Sequence, residues 1–196
     1  MAYIGLRYPV VATMASHTAG AEPTYNNTGM VIGKAIAANL TITRNNNPLY
    51  ADDAIAEDDN GITAMSMELG TDDILEDVQE YMLGTYKVTG QSGAPTLYYD
   101  SDASAPKVGF GYYRVRKKAG VVKYQAIWYY QAVFGTDSEN AATKGESIDW
   151  QTPTITGRCA ALSVDSTGSK KFRVKAVFDT ETDAINWLKT KANFPT

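Results

Sequence analysis

Apolar residues recur at every second position over long parts of this chain. Across residues 30–42 the even positions Met30, Ile32, Ile36, Ala38, Leu40 and Ile42 are apolar, and only Lys34 breaks the series. A period of two places these side chains on one face of a strand, so the pattern predicts one long half-buried strand there. Residues 63–69 alternate again, with Met65, Met67 and Leu69 on one face. The period then changes. In "GTDDILEDVQEYMLG", Ile74, Leu75, Val78 and Met82 fall at helical spacing, Thr71, Asp72 and Asp73 supply a cap and first-turn acids, and Gly84 offers a left-handed stop. A short amphipathic helix over 72–83 is expected.

The second half predicts a hairpin, with strands over 108–117 and 121–134 around the loop "KAG". Val108, Phe110 and Tyr112 mark a face of the first strand. Val122, Tyr124, Ala126, Trp128, Tyr130, Ala132 and Phe134 mark a face of the second. Further strands are read over 148–164 and 171–178, separated by "DSTG". The chain then closes on "DTETDAINWLKTKA", where Thr180 and Asp183 have capping-box spacing and Ala184, Ile185, Trp187 and Leu188 form an apolar stripe. The fold class expected is mainly β, a β-sandwich or partly closed barrel with one or two short flanking α-helices. A chain of 196 residues needs only one core, so residues 1–196 are read as a single domain.

One segment does not fit this alternation. "PLYADDAIAEDDNG" carries Asp52, Asp53, Glu57, Asp58 and Asp59 and no base, interspersed with Leu49, Tyr50 and Ile55. It is too long for a turn and too rich in apolar anchors for a disordered linker, so residues 45–61 are read as a long acidic loop or arm with a partner elsewhere. Charge along the whole chain supports that reading. Residues 1–106 hold four bases and fourteen acids, and residues 107–196 hold fourteen bases and eight acids, giving −10 and +6, which sum to the net −4. These halves either neutralise each other within one fold or bring an acidic face of one copy against a basic face of the next, the heterologous contact from which rings and filaments grow.

Residue types that carry chemistry are scarce. His17 is the single histidine and Cys159 the single cysteine, so no two-histidine zinc motif, CxxC pair or intrachain disulfide can be written. "VGFGYY" lacks the third glycine and the helix of a dinucleotide fingerprint. "DSD" at 100–102 lacks the glycine and closing glutamate of a calcium loop. Adjacent acids such as Asp52 and Asp53 point apart on a strand and make no catalytic dyad. No catalytic residue, metal or cofactor is expected. The longest apolar run is too short to cross a bilayer, and "MAYIGLRYPVV", broken by Arg7 and Pro9, is not expected to act as a secretory signal. The aromatic and basic interleaving of "YYRVRKKAGVVKYQAIWYY" suggests a sugar or single-strand platform, but aromatic residues also stabilise sheets by packing, which is the favoured reading.

Specific words carry more. "IGLRYPV" (4–10), "GMVIGKAI" (29–36), "LYADDAIAE" (49–57), "ELGTDDI" (68–74), "APKVGFGYYRV" (105–115), "YQAIWYY" (124–130), "TKGESI" (143–148), "QTPTITG" (151–157) and "FDTETDAINWL" (178–188) occur in this order over nearly the whole chain. Together they resemble the major tail protein family of long-tailed phages of Gram-positive bacteria. The resemblance implies a non-enzymatic virion protein of the tail-tube type, assembled in the host cytoplasm into stacked hexameric rings. Its implied partners are itself, a tape-measure protein, tail terminator and tail tip or baseplate proteins, and phage DNA passing without specific binding. It implies no membrane insertion. On this reading the acidic segment reaches a neighbouring subunit, with Leu49, Tyr50, Asp52, Asp53, Ile55 and Glu57 as interface residues. The rival expectations are a tube protein of a contractile tail or secretion system and a carbohydrate-binding β-sandwich.

Overall fold

The structure is a computed structural model and describes residues 2–51, 54–59, 61–90, 93–135, 143 and 152–195. In chain order the first half contains β1 (Ala2–Ser16), β2 (Thr24–Tyr25), β3 (Met30–Val31), β4 (Ala35–Arg44), β5 (Asn47–Ala51), β6 (Ala54–Asp59), β7 (Ile62–Thr71), α1 (Glu76–Leu83), β8 (Tyr86–Thr89) and β9 (Pro95–Tyr98). The second half contains β10 (Val108–Lys118), β11 (Val121–Phe134), β12 (Thr154–Cys159), β13 (Leu162–Ser163), β14 (Lys170–Lys171), β15 (Arg173–Phe178) and α2 (Glu181–Lys191). The protein is mainly β, and its dominant element is a nine-stranded antiparallel sheet that does not close into a barrel.

The β10–β11 hairpin organises this sheet. Its turn is Ala119–Gly120 with φ of 48° and 81°, a two-residue turn with both central residues left-handed, whose twist matches the strands it joins. β1 lies antiparallel to the other side of β10, from Ala2 opposite Lys117 to Thr13 opposite Val108. The far side of β11 serves two strands in succession. Its first part, Tyr124 to Tyr129, pairs with β15, and its last part, Ala132 to Phe134, pairs with β12, which leads on to β7 and β4.

The change of partner occurs at a bulge. Val108 faces Ala132 and Phe110 faces Tyr129, so two steps along β10 match three along β11. Tyr130 N–H bonds to Phe172 O at 3.1 Å, while Gln131 O accepts from Ala160 N–H at 2.9 Å, so the two wings separate between adjacent residues. The extra residue also reverses the faces. Ala126, Trp128 and Tyr130 pack under α2 with Tyr113, Ala184 and Leu188, whereas Ala132 and Phe134 join Ile127 and Tyr129 in the opposite core with α1. The single face expected across 122–134 is therefore two faces.

The sheet is thus buried on both sides. One core gathers Phe110, Tyr112, Tyr129 and Phe134 with Met65, Met67 and Leu69 of β7 and Val78 and Met82 of α1. The other sets Trp128 against Tyr25 at 5.2 Å, edge to face, beneath α2. The Thr180 hydroxyl caps α2 by accepting from Asp183 N–H at 3.2 Å. Its reciprocal contact goes from the Thr180 hydroxyl to the Asp183 carboxylate at 2.7 Å instead of from a backbone amide.

Two expectations in the first half change. The strand read over 30–42 is broken: Ile32 is buried, its N–H bonds to Pro9 O at 2.9 Å, and pairing resumes only at Ala35. A Cβ at Gly33 would lie 2.5 Å from Asp73 O, so this close crossing of two backbones requires glycine. Helix α1 starts at Glu76, not at Asp72. Thr71 still belongs to β7, Asp72 Oδ1 accepts from Lys34 N–H at 2.6 Å, and Asp73 Oδ1 accepts from Ile74 N–H at 2.8 Å. Those acids hold the strand break, and Leu75 stands at the N-cap without a side-chain bond. The C-terminal expectation holds, with Gly84 at φ 76° and its N–H on Glu80 O.

Candidate interface surfaces

The acidic segment is a β-hairpin. β5 and β6 pair antiparallel, Leu49 opposite Glu57 and Tyr50 opposite Ile55, and form a two-stranded sheet of their own. They continue the β4–β7 ladder, in which Arg44 faces Ile62, through a bond from Asn45 N–H to Gly61 O at 2.8 Å. One antiparallel ribbon therefore runs from the sheet into the arm. Of the residues expected at an interface, Leu49, Tyr50, Ile55 and Glu57 lie on its two strands, and Asp52 and Asp53 lie outside the described residues.

Backbone edges provide a second surface. Among the described residues, β4 pairs only with β7 and β15 only with β11, so each presents one flank without a strand partner. β4 also keeps Ile36 and Ile42 partly in solvent, at 55% and 38% exposure. Such edges require cover or invite pairing with another chain.

The third surface is electrostatic. Arg114 and Arg116 on β10 share a face with Tyr112, and the register carries that face across Gln125 and Ile127 of β11 to Lys175 and Arg173 of β15. On the other flank Tyr3 of β1 stands opposite Arg116, and the Arg114 guanidinium lies 3.6 Å from the centre of its ring. Arg114 Nε donates to Gln125 Oε1 at 3.0 Å, and Arg173 Nη1 donates to the Tyr129 hydroxyl at 3.0 Å. Burial holds the Lys175 ammonium below its ordinary range, and Arg173, Arg114 and Arg116 press it down further. Four cations from the two strands that flank β11 thus share one face of the sheet, Arg116 towards the Ala119–Gly120 turn and Arg173 level with Phe110. Sequence reading singled out the stretch that holds Arg114 and Arg116 but missed Arg173 and Lys175, although the i, i+2 spacing within each pair was a signal.

Among the described residues, charge is paired mostly within each half of the chain. Six ion pairs join described side chains, and only Glu22–Lys191 brings an acid of residues 1–106 to a base of residues 107–196. Arg7–Glu181 runs the opposite way, and Lys34–Asp72, Lys87–Asp77, Lys123–Asp179 and Lys171–Asp165 stay within one half. Arg114, Arg173 and Lys175 appear in none of the six.

Most aromatic residues of the second half are structural. Trp128, Tyr129, Tyr113 and Phe110 are at most 1% exposed, so none offers a ring to a ligand. The indole N–H of Trp128 donates to the Tyr25 hydroxyl at 3.1 Å, which donates in turn to Tyr130 O at 2.7 Å. Exposed rings occur elsewhere, on the β8–β9 ribbon, where Tyr86 faces Tyr98 and both are more than half exposed. Cys159 is buried in the first core, and burial pushes its thiol up to about 11. His17 Nε2 donates to Ser163 O at 3.1 Å. Among the described residues no three His, Cys, Asp or Glu side chains converge on a point, and no helix is long and apolar enough to cross a membrane. No protein-family model matches the chain, and no curated protein matches it.

Proposed function

We propose that this protein is a structural, self-assembling subunit: a major tail protein whose hexameric rings stack into the tail tube of a long-tailed phage. The observation that carries the reading is the β5–β6 ribbon, an acidic, apolar-studded extension that pairs only with itself in its sheet while β4 and β15 leave open edges. A ring needs a heterologous interface, in which one surface of a subunit meets a different surface of the next. An arm, two edges and unequal charge between the chain halves provide such unlike surfaces. The two-layered core on β10 and β11 supplies the rigid body from which they extend, a β-sandwich of the tail-tube type on this reading.

The resemblance of "LYADDAIAE", "LGTDDI" and "AINWL" supplies the hexamer, the stacking and the partners: a tape-measure protein inside the tube, and terminator and tip or baseplate proteins at its ends. DNA would pass through the bore without specific binding, since an acidic lining repels phosphates. Electron microscopy of the concentrated protein tests the proposal. Rings or tubes with sixfold end views are expected. Sedimentation as a monomer at every protein and salt concentration would overturn it.

A further inference from the structure

We propose that the basic face formed by β1, β10 and β15 across β11 is the dock for the acidic β5–β6 ribbon of a second copy of this chain. The inference rests on the assembly reading and adds to it the surface that receives the arm.

The first argument is the cost of the cation cluster. Arg114 and Arg116 on β10 and Arg173 and Lys175 on β15 lie on one face of the sheet either side of β11, and Arg114, Arg173 and Lys175 form no ion pair with a described residue. Like charges held on one face, three of them half-buried and Lys175 exposed, repel, so the arrangement favours an anionic occupant. The second argument is the identity of the anion. Residues 45–86 contain eleven acids and no Lys or Arg, and five of those acids fall within the 47–59 hairpin. A partner with matching charge is therefore present on every copy. Nucleic acid fits less well, because the chain that would receive it carries a net charge of −4.

Apolar contacts give the match a register. A groove of about 280 Å³ opens beside the cations and is lined by Tyr3, Leu6, Ile36, Asn39, Tyr112 and Arg114. It connects the basic face to the open β4 edge, and its size suits a protein side chain better than a larger ligand. Tyr50 and Ile55 stand opposite each other on the ribbon, and the acids Glu57, Asp58 and Asp59 follow on the same strand as Ile55, so an apolar anchor and anionic groups reach the groove and the cations together. Tyr3 and Val177 on the two flanks are each 49% exposed, leaving apolar surface for the docked ribbon to cover. An aromatic anchor ringed by charge pairs is a common form of binding hot spot.

The test uses two charge-reversed full-length variants. One reverses the dock (Arg114→Glu with Lys175→Glu) and the other reverses the arm (Glu57→Lys, Asp58→Lys and Asp59→Lys). Each alone sets like charges against each other, and association should require about tenfold more protein or fail. Mixed in equal amounts, each variant's arm matches the other's dock, and an alternating assembly should reappear in sedimentation and in electron micrographs. Lys175→Glu alone, at an exposed position, serves as the milder variant, and thermal melts check that all of them fold. If the folded dock variant assembles like the parent protein, or the mixture stays dissociated, the dock is wrong while the assembly reading stands. If the parent never assembles, both fall. If the dock variant loses binding to a labelled single-stranded oligonucleotide without losing self-association, the face belongs to nucleic acid and the proposal is overturned.

Discussion

The Tyr113 hydroxyl donates to the carboxylate of Glu181, joining the middle of β10 to the first turn of α2. Arg7 Nη1 reaches the same oxygen at 3.5 Å from β1, so one carboxylate ties together two strands and a helix. Burial, followed by the Glu181 bond, pushes the Tyr113 hydroxyl from 10.0 up to about 12.

Tyr113→Phe should cost about 1–2 kcal/mol at pH 8, the range for a hydrogen bond to a partly solvated charge. The raised value also fixes a pH dependence. The folded state keeps this proton where the unfolded chain releases it, so the stabilisation is complete below pH 10 and is lost as pH rises from 10 towards 12. Urea denaturation at pH 8 and pH 11 should show a smaller alkaline loss in Tyr113→Phe than in the parent. Some loss should persist, because burial also raises Tyr25, Tyr129 and Tyr130.

Gly111→Ala should destabilise the protein by about 1–3 kcal/mol through overpacking. A Cβ there would stand 2.5 Å from Trp128 Cε3, 2.8 Å from Ile127 O and 2.9 Å from Leu188 Cδ2, between the sheet and α2. Thermal melts and tryptophan fluorescence report the change. An unshifted midpoint would mean that α2 yields freely at Leu188.

Cys159 should resist thiol reagents in the native protein at pH 8 and react rapidly once denaturant unfolds it. Burial raises its thiol from 9.0 to about 11, against an opposing pull from Arg173, so little thiolate exists at pH 8 and access is closed. Rapid stoichiometric labelling of the folded chain would contradict the burial described.

Replacing Tyr50 and Ile55 by Ser should leave the melting temperature within about a degree or two, as for surface changes, and prevent assembly. The hairpin forms a sheet of its own, outside the nine-stranded one. Micrographs and melts of the same sample decide the matter. Normal tubes would show the ribbon to be dispensable, and loss of folding would place it in the core.

Local pattern reached the β10–β11 hairpin, α2 and its Thr180 cap, and the apolar face of β7, because each depends on contacts between nearby residues. It failed where distant backbone intervenes. The break at Ile32 and the delayed start of α1 are two sides of one crossing, in which Asp72 binds Lys34 N–H and Gly33 lies against Asp73. Neither is visible from one segment alone. The bulge after Tyr129 leaves no mark in composition, yet it reverses the faces that Ala132 and Phe134 occupy. The basic face was hidden because its four members come from two stretches nearly sixty residues apart that only β11 brings side by side. The ribbon of residues 47–59 was noticed for its charge, while its strand pairing escaped because the acids obscure the alternation.

The ladder between β1 and β10 has a consequence for the order of events during synthesis. Ala2 pairs with Lys117, so the first strand leaves the ribosome more than a hundred residues before its partner. The central sheet cannot close until the second half has been made, a topology that folds slowly. The β4–β7 ribbon, by contrast, joins nearby segments and can form early, with its open edge exposed. On a crowded polysome such edges would normally join neighbouring chains. During that interval each nascent chain is strongly anionic, since its first 106 residues carry fourteen acids against four bases, and neighbours repel. The balancing cations are translated last, so the repulsion between neighbouring nascent chains lasts until a subunit is nearly complete.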